Sequence, residues 1–198
     1  MKSISRTELT KHNILIIIVG LIVSALTSVA QAQRRAVYVT AGLGVEGITV
    51  GYSTKNSVTS KYGNDYALLE YNNYSYEIKY NDTGMSFWYR HDDPEQKIFS
   101  IGFRPESGAF TGRGIVVGRS TLQDVFNAYG KSEFSTTSAE ETWFVEYQGI
   151  KFHVEYKSTD KLRQTPEKLL KRKIIEIEIV PAESATASQA SAFANQKD

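Results

Sequence analysis

One phrase is written twice in this chain, and it limits the possible folds more than any other feature. Gly47-Ile-Thr-Val-Gly51-Tyr-Ser53-Thr54-Lys-Asn-Ser-Val58-Thr-Ser-Lys-Tyr62-Gly63 returns as Gly114-Ile-Val-Val-Gly118-Arg-Ser120-Thr121-Leu-Gln-Asp124-Val125-Phe-Asn-Ala-Tyr129-Gly130, with 9 of 17 positions identical at a constant offset of 67. Each copy predicts a short glycine-bounded strand, then a capped helix. Ser53 or Thr54 offers a hydroxyl to the free amides of the first turn, and Thr121 with Asp124 has capping-box spacing. Leu122, Val125, Phe126 and Tyr129 form an apolar stripe at i, i+3, i+4 and i+7, while the first helix offers only Val58 and Tyr62. Gly63 and Gly130 supply the stops. The Gly-x-x-x-Gly before each helix is a turn device and no phosphate loop, because neither copy continues with Lys-Ser/Thr.

After each helix the apolar period drops to two. Tyr74, Tyr76, Ile78 and Tyr80, then Met85, Phe87 and Tyr89, then Phe99, Ile101 and Phe103 predict a three-stranded meander, with a further strand possible in 65–71. In the second copy Trp143, Val145 and Tyr147, then Ile150, Phe152, Val154 and Tyr156, then Ile175, Ile177 and Ile179 repeat the scheme. Thr165-Pro166-Glu167 starts a short extra helix before the last strand. The expected fold is α+β: two tandem repeats, each a short strand, one helix and an antiparallel β-meander, over 47–105 and 114–180 with a linker at 106–113. A unit of this size is a marginal core by itself, so the copies must share one. One continuous sheet and sheet-on-sheet packing both satisfy that demand.

The two ends read differently. Lys2, Arg6 and Lys11 precede an uncharged apolar run from Ile14 to Ala30, and Ala30-Gln31-Ala32 offers a small-x-small cleavage site. Residues 1–32 are therefore expected to be a secretory signal peptide, the competing reading being an uncleaved inner-membrane anchor. With no cysteine in the chain, lipid attachment at the cleavage point is excluded and the exported protein must rely on its core rather than on disulfides. Residues 33–46 form an N-terminal segment, and 181–198, rich in Ala, Ser, Gln and Thr, are expected to be a disordered tail. Removing the signal peptide leaves 20 basic and 21 acidic residues, hence a net charge of −1. A nearly neutral body gives no field for nucleic acid, and a membrane enters only through an uncleaved leader.

Chemistry-bearing residues are few. His91-Asp92-Asp93 could ligate a divalent ion, but adjacent residues seldom converge on one ion and Asp-Asp-Pro is ordinary turn chemistry, so neither metal nor cofactor is expected. His153 falls on the polar phase of its strand and reads as a solvated histidine. Ser120 with Asp124 is a helix cap and no triad. Carboxylate pairs such as Glu176/Glu178 lack an apolar setting in the sequence that would split their pKa values. The basic run Lys168 to Lys173 reads as a solvated helix end. The aromatic residues carry more information. Trp88 lies on the phase opposite the core with Ser86 and Arg90, and Tyr71 and Tyr74 flank a strand end. Trp88, Arg90, Tyr71 and Tyr74 together have the make-up of a macromolecular contact surface, unless the second repeat or a helix covers that face.

The phrase strand-Gly-x-Ser/Thr-x-x-x-Val-x-x-x-Tyr-Gly followed by a β-meander resembles the helix-then-sheet module of bacterial envelope proteins. It is similar to the SmpA/OmlA-type accessory lipoproteins of outer-membrane assembly and to the β-lactamase inhibitor proteins, where such a module occurs in tandem. The resemblance spans 47–63 and 114–130 with their following strands. This chain lacks the lipobox cysteine of the first group and the disulfides of the second. What the resemblance implies is architecture and a protein-binding sheet. The expected function is thus a non-enzymatic binding protein, periplasmic or secreted, with an envelope or extracellular macromolecule as partner. The alternative is a periplasmic enzyme or small-ligand binder with a cleft between the repeats, where Asp92 and Asp93 would converge with His91 or Arg90.

Overall fold

The computed structural model describes residues 36–71, 73–137, 142–155 and 166–182. The expected signal peptide and most of the expected tail lie outside them. Among the described residues no helix is long and apolar enough to cross a membrane.

The protein is α+β, built on one antiparallel sheet of eight strands. In chain order the elements are β1 (Tyr38–Thr40), β2 (Gly44–Val45), β3 (Ile48–Thr49), α1 (Lys55–Tyr62), β4 (Ala67–Glu70), β5 (Ser75–Tyr80), β6 (Met85–Arg90) and β7 (Ile98–Phe103). A 3-10 turn (Pro105–Ser107) then leads to β8 (Phe110–Thr111), α2 (Leu122–Tyr129), β9 (Phe134–Thr137), β10 (Thr142–Tyr147), β11 (Ile150–Glu155), α3 (Pro166–Leu170) and β12 (Ile174–Ile179). The large sheet has the order β4-β5-β6-β7-β12-β11-β10-β9, and a small sheet has the order β3-β2-β1-β8. Each half of the large sheet is a four-stranded meander. The two last strands meet at the middle, where Ile101 pairs with Ile179, Gly102 with Glu178 and Phe103 with Ile177. Of the two joints left open by the sequence, the continuous sheet is the one present.

The two seventeen-residue phrases share their glycine conformations and their helix caps. Gly47 and Gly114, Gly51 and Gly118, and Gly63 and Gly130 all have positive φ. Thr54 caps α1 and Thr121 caps α2, each in a reciprocal capping box with Ser57 or Asp124 three residues on. Each phrase then grips the seam strand of its own half. Gly51 N–H donates to Ile98 O at 2.6 Å and Ile98 N–H to Ser53 O at 2.9 Å; Gly118 N–H donates to Ile174 O at 2.7 Å and Ile174 N–H to Ser120 O at 2.9 Å. At the far end of each helix a tyrosine hydroxyl closes the last turn, Tyr80 onto Gly63 O and Tyr147 onto Gly130 O. The glycine-bounded segments differ. Ile48–Thr49 forms β3, whereas Val116 makes only a single bridge with Phe110.

The core lies on the helix side of the large sheet. Phe87, Tyr89, Phe103, Phe152, Ile101 and Ile177 are fully buried there, joined by Val58 of α1 and by Leu122 and Val125 of α2. Val39, Val45, Ile115 and Val117 add the small sheet and its neighbours to the same interior. Residues 106–113, expected as a linker, contain β8, which pairs in parallel with β1. Gly149 pins this layer to the second half: its carbonyl accepts from Gly42 N–H at 2.8 Å, and a Cβ there would lie 2.3 Å from Gly42 N.

The caps differ in strength. The Thr121 hydroxyl donates to the Asp124 carboxylate at 2.9 Å and accepts from Asp124 N–H at 3.3 Å, while the Thr54 hydroxyl lies 3.3 Å from Ser57 Oγ and accepts from Ser57 N–H at 3.4 Å. Thr121→Ala is predicted to cost about 1–2 kcal/mol and Thr54→Ala less than about 1 kcal/mol, read as urea unfolding midpoints; the reverse order would contradict the hydrogen-bond geometry.

Candidate functional site

The β4–β5 hairpin forms one end of the large sheet, and three of the four aromatic and basic residues singled out by the sequence gather on one face of it. Tyr71 leaves β4 and folds back across the face remote from the helices. Its ring centre lies 4.5 Å from that of Trp88, and its hydroxyl donates to Glu77 Oε2 at 2.7 Å. Trp88 is half-buried, so it is no bare platform; Tyr71, reaching from the end of β4 two strands away, packs against its ring. Arg90 lies over the Phe99 ring at 5.4 Å. Tyr74 stands apart at the hairpin tip, 77 % exposed. Glu77 is fully buried beneath Tyr71, and its Oε1 has no hydrogen-bond partner among the described residues. A buried carboxylate oxygen without a donor costs free energy, so the patch has chemical capacity left over.

The edge strand itself was not singled out by sequence. Leu68 is 51 % exposed and Leu69 37 %, on opposite faces of β4, opposite Ile78 and Glu77 respectively. Glu70 Oε2 lies at hydrogen-bond distance, 2.9 Å, from His91 Nε2, and the two flank an open depression of about 480 Å³ with Tyr71 and Asn73. His91 is therefore turned toward β4. Asp93 is engaged in the turn, its oxygens accepting from Glu95 N–H at 3.0 Å and Lys97 N–H at 2.8 Å. Those amide bonds hold its carboxyl below the usual range. His91, Asp92 and Asp93 thus do not converge, and among the described residues no group of three or more His, Asp or Glu could hold a metal ion.

A second cluster lies on the same face at the seam. The sequence reading of His153 as solvated and of Glu176/Glu178 as plain surface acids is corrected here. His153 is 5 % exposed, because Phe144 lies against it at 5.3 Å and Glu178 approaches from the next strand. Glu178 accepts from Ser100 Oγ at 2.7 Å and faces His153 Nε2 at 2.9 Å, with Lys151 Nζ at 3.7 Å. An ionised carboxylate only accepts, so Nε2 carries the hydrogen. Burial pushes the Glu178 carboxyl up, but the His153 hydrogen bond, the Lys151 charge and the Ser100 hydroxyl outweigh it and bring it down to about 2. Gly102 carries no side chain because the Glu176 and Ser86 oxygens fill its place, 2.5 Å and 2.6 Å from where a Cβ would sit. Glu146, two strands from Glu178, is pushed up by burial against the opposing pull of Lys151. Ser100 and Glu178 belong to different halves, so the cluster staples the seam. The basic residues Lys168, Lys171 and Lys173 are exposed around the end of α3, while Leu169 between them is buried.

No family model matches the chain, and no curated protein matches it. Among solved structures the fold is similar to the uncharacterised protein YfeY of Escherichia coli, at 15 % identity and a TM-score of 0.52, covering 74 % of this chain and 99 % of that one. A DUF4309 family protein of Bacillus subtilis, YjgB, matches at 15 % identity and 0.46 over 70 % of this chain and 88 % of its own. A cysteine-rich secretory protein of Staphylococcus aureus matches at 12 % identity and 0.36, over 68 % of this chain and 44 % of its own. The YfeY likeness shows a shared α+β fold with a large antiparallel sheet.

Because the folded Glu178 carboxyl lies below its ordinary value of 4.5, its stabilisation is complete above that value and fades as pH falls toward about 2. The stability difference between wild type and Glu178→Gln is predicted to be flat above pH 5, on the order of 2–3 kcal/mol, and to shrink steadily below pH 4.5. Chemical denaturation at a series of pH values measures it. A difference that grows with acid would refute the assignment.

Proposed function

We propose that this chain is an exported, non-enzymatic binding protein that contacts a macromolecular partner through the β4–β5 hairpin. The observation that carries the reading is the character of the sheet edge. Exposed edge strands are normally blunted by charge, proline or bulges, because their free amides and carbonyls template pairing with another chain. β4 instead presents Leu68 and Leu69 to solvent, with Tyr71 and Tyr74 beside them. A short apolar edge flanked by aromatic residues suits strand addition, where main-chain bonds give affinity and side-chain contacts give selectivity. Trp88 and Arg90 take supporting parts, Trp88 by seating Tyr71 and Arg90 by lining the same face.

The charged start, the apolar run and the Ala30-Gln31-Ala32 site support export to the periplasm or outside the cell, or attachment to the inner membrane if the leader is retained. The matching capping boxes, glycine conformations and strand order support reading the halves as copies of one module. The partner is then an envelope or extracellular macromolecule, and the near-neutral body argues against nucleic acid.

The test is recovery from an envelope extract by the immobilised chain. Wild type is predicted to retain a partner that a Leu68→Lys, Tyr74→Ala double variant loses by at least about tenfold, with both chains sharing one unfolding midpoint. Equal recovery of the same proteins by both would remove the hairpin from the function.

A further inference from the structure

A second cleft lies away from the hairpin, on the helix side of the sheet. It opens between β1, the turn after β8, the C-terminal end of α2 and the β10–β11 turn, with a volume of about 430 Å³. Tyr38, Thr111, Arg113, Tyr129, Tyr147 and Gln148 are among its lining residues. Volume and lining both fall in the range of small-ligand sites, with apolar faces and a few polar groups that converge.

The duplicated phrase shows what is unusual here. One residue before the phrase stands Glu46 in the first copy and Arg113 in the second; Lys61 in the first copy corresponds to Ala128. In the first copy the charge is answered: Lys61 Nζ lies 3.6 Å from Glu46 Oε2 and also donates to the Glu46 carbonyl. In the second the sign is inverted and the answering side chain is gone. Arg113 donates through Nη1 to Ala128 O at 3.0 Å and rests over the Tyr129 ring at 4.6 Å. Among the described residues no carboxylate lies within ion-pair distance of it. The guanidinium has five N–H donors, so its remaining edge is free for a planar two-oxygen acceptor.

We propose that this cleft binds a small monocarboxylate carrying a ring, its acid group on Arg113 and its ring against Tyr38. Tyr38 is 51 % exposed on the cleft wall and offers a flat face. The charge balance selects a monoanion. Among the described lining residues Arg113 is the cation, and the carbonyl end of α2 beside it repels a phosphate dianion about twice as strongly as a monoanion. An aromatic acid and a hexuronic acid share the required chemistry.

The experiment is an amide-resolved NMR titration of the full chain with benzoate, glucuronate, benzamide and inorganic phosphate as probes. At least one of the two acids is expected to shift the Thr111–Arg113, Ala128–Gly130 and Gln148–Gly149 amides saturably, and which acid binds tighter distinguishes the two sources. Benzamide and phosphate are expected to bind at least about tenfold more weakly. Arg113→Gln keeps a donor for Ala128 O but loses the charge, and is expected to lose binding at an unchanged unfolding midpoint. Binding of benzamide as tight as benzoate, preference for phosphate, no saturable shift with either acid, or full binding by a folded Arg113→Gln each overturns the proposal. Should that variant unfold, the comparison of the tighter-binding acid with benzamide and with phosphate in wild type still decides.

Discussion

The pairing of β7 with β12 is the constraint on which the rest depends. Every other pair of neighbours in the large sheet consists of strands that follow one another in the chain. The seam instead joins strands separated by the whole second half, through three residue pairs. Isoleucine and phenylalanine on its helix side merge two cores that would each be marginal alone. On the other side Ser100 reaches Glu178, so the joint has an apolar face and a hydrogen-bonded polar face. The duplicated phrase serves the same joint. Each copy clamps the beginning of its own seam strand with two backbone hydrogen bonds, which frees the end of that strand to pair across.

Alternation of apolar residues over Ser75–Tyr80, Met85–Arg90, Thr142–Tyr147 and Ile150–Glu155 makes the two meanders readable in the sequence, since period two is a local signal. The helices and caps were legible for the same reason. What escaped was non-local or lacked a pattern. β9, Phe134–Thr137, has one apolar residue followed by three hydroxyl-bearing ones, and β2 and β8 of the small sheet are two residues long, too short for alternation to register. The choice between a continuous sheet and stacked sheets depended on which edges meet, a property no residue carries by itself.

The polar phase of the sheet misled in a specific way. His153, Glu178 and Glu77 alternate with apolar neighbours and so read as solvent-facing, yet side chains on adjacent strands close over them. Tyr71 covers Glu77 and Trp88, while Phe144 and Lys151 flank His153 and Glu178. In an eight-stranded sheet the middle strands have neighbours on both sides, and long side chains there shelter one another. Period identifies a face, but lateral crowding sets its exposure. The hairpin patch was half legible: its aromatic residues stood out, while the importance of Leu68 and Leu69 followed only from β4 being an edge.

The seam also imposes an order of events on the growing chain. All the strand partners of β4 to β6, and the clamp of the α1 phrase onto Ile98, lie before residue 104. β7 presents an incomplete ladder until β12, the last strand among the described residues, arrives. Closing so long a loop is slow compared with hairpin formation. During that wait the native partner is chemically indistinguishable from the same strand of a neighbouring molecule, so crowded nascent chains would exchange halves at this joint before any other.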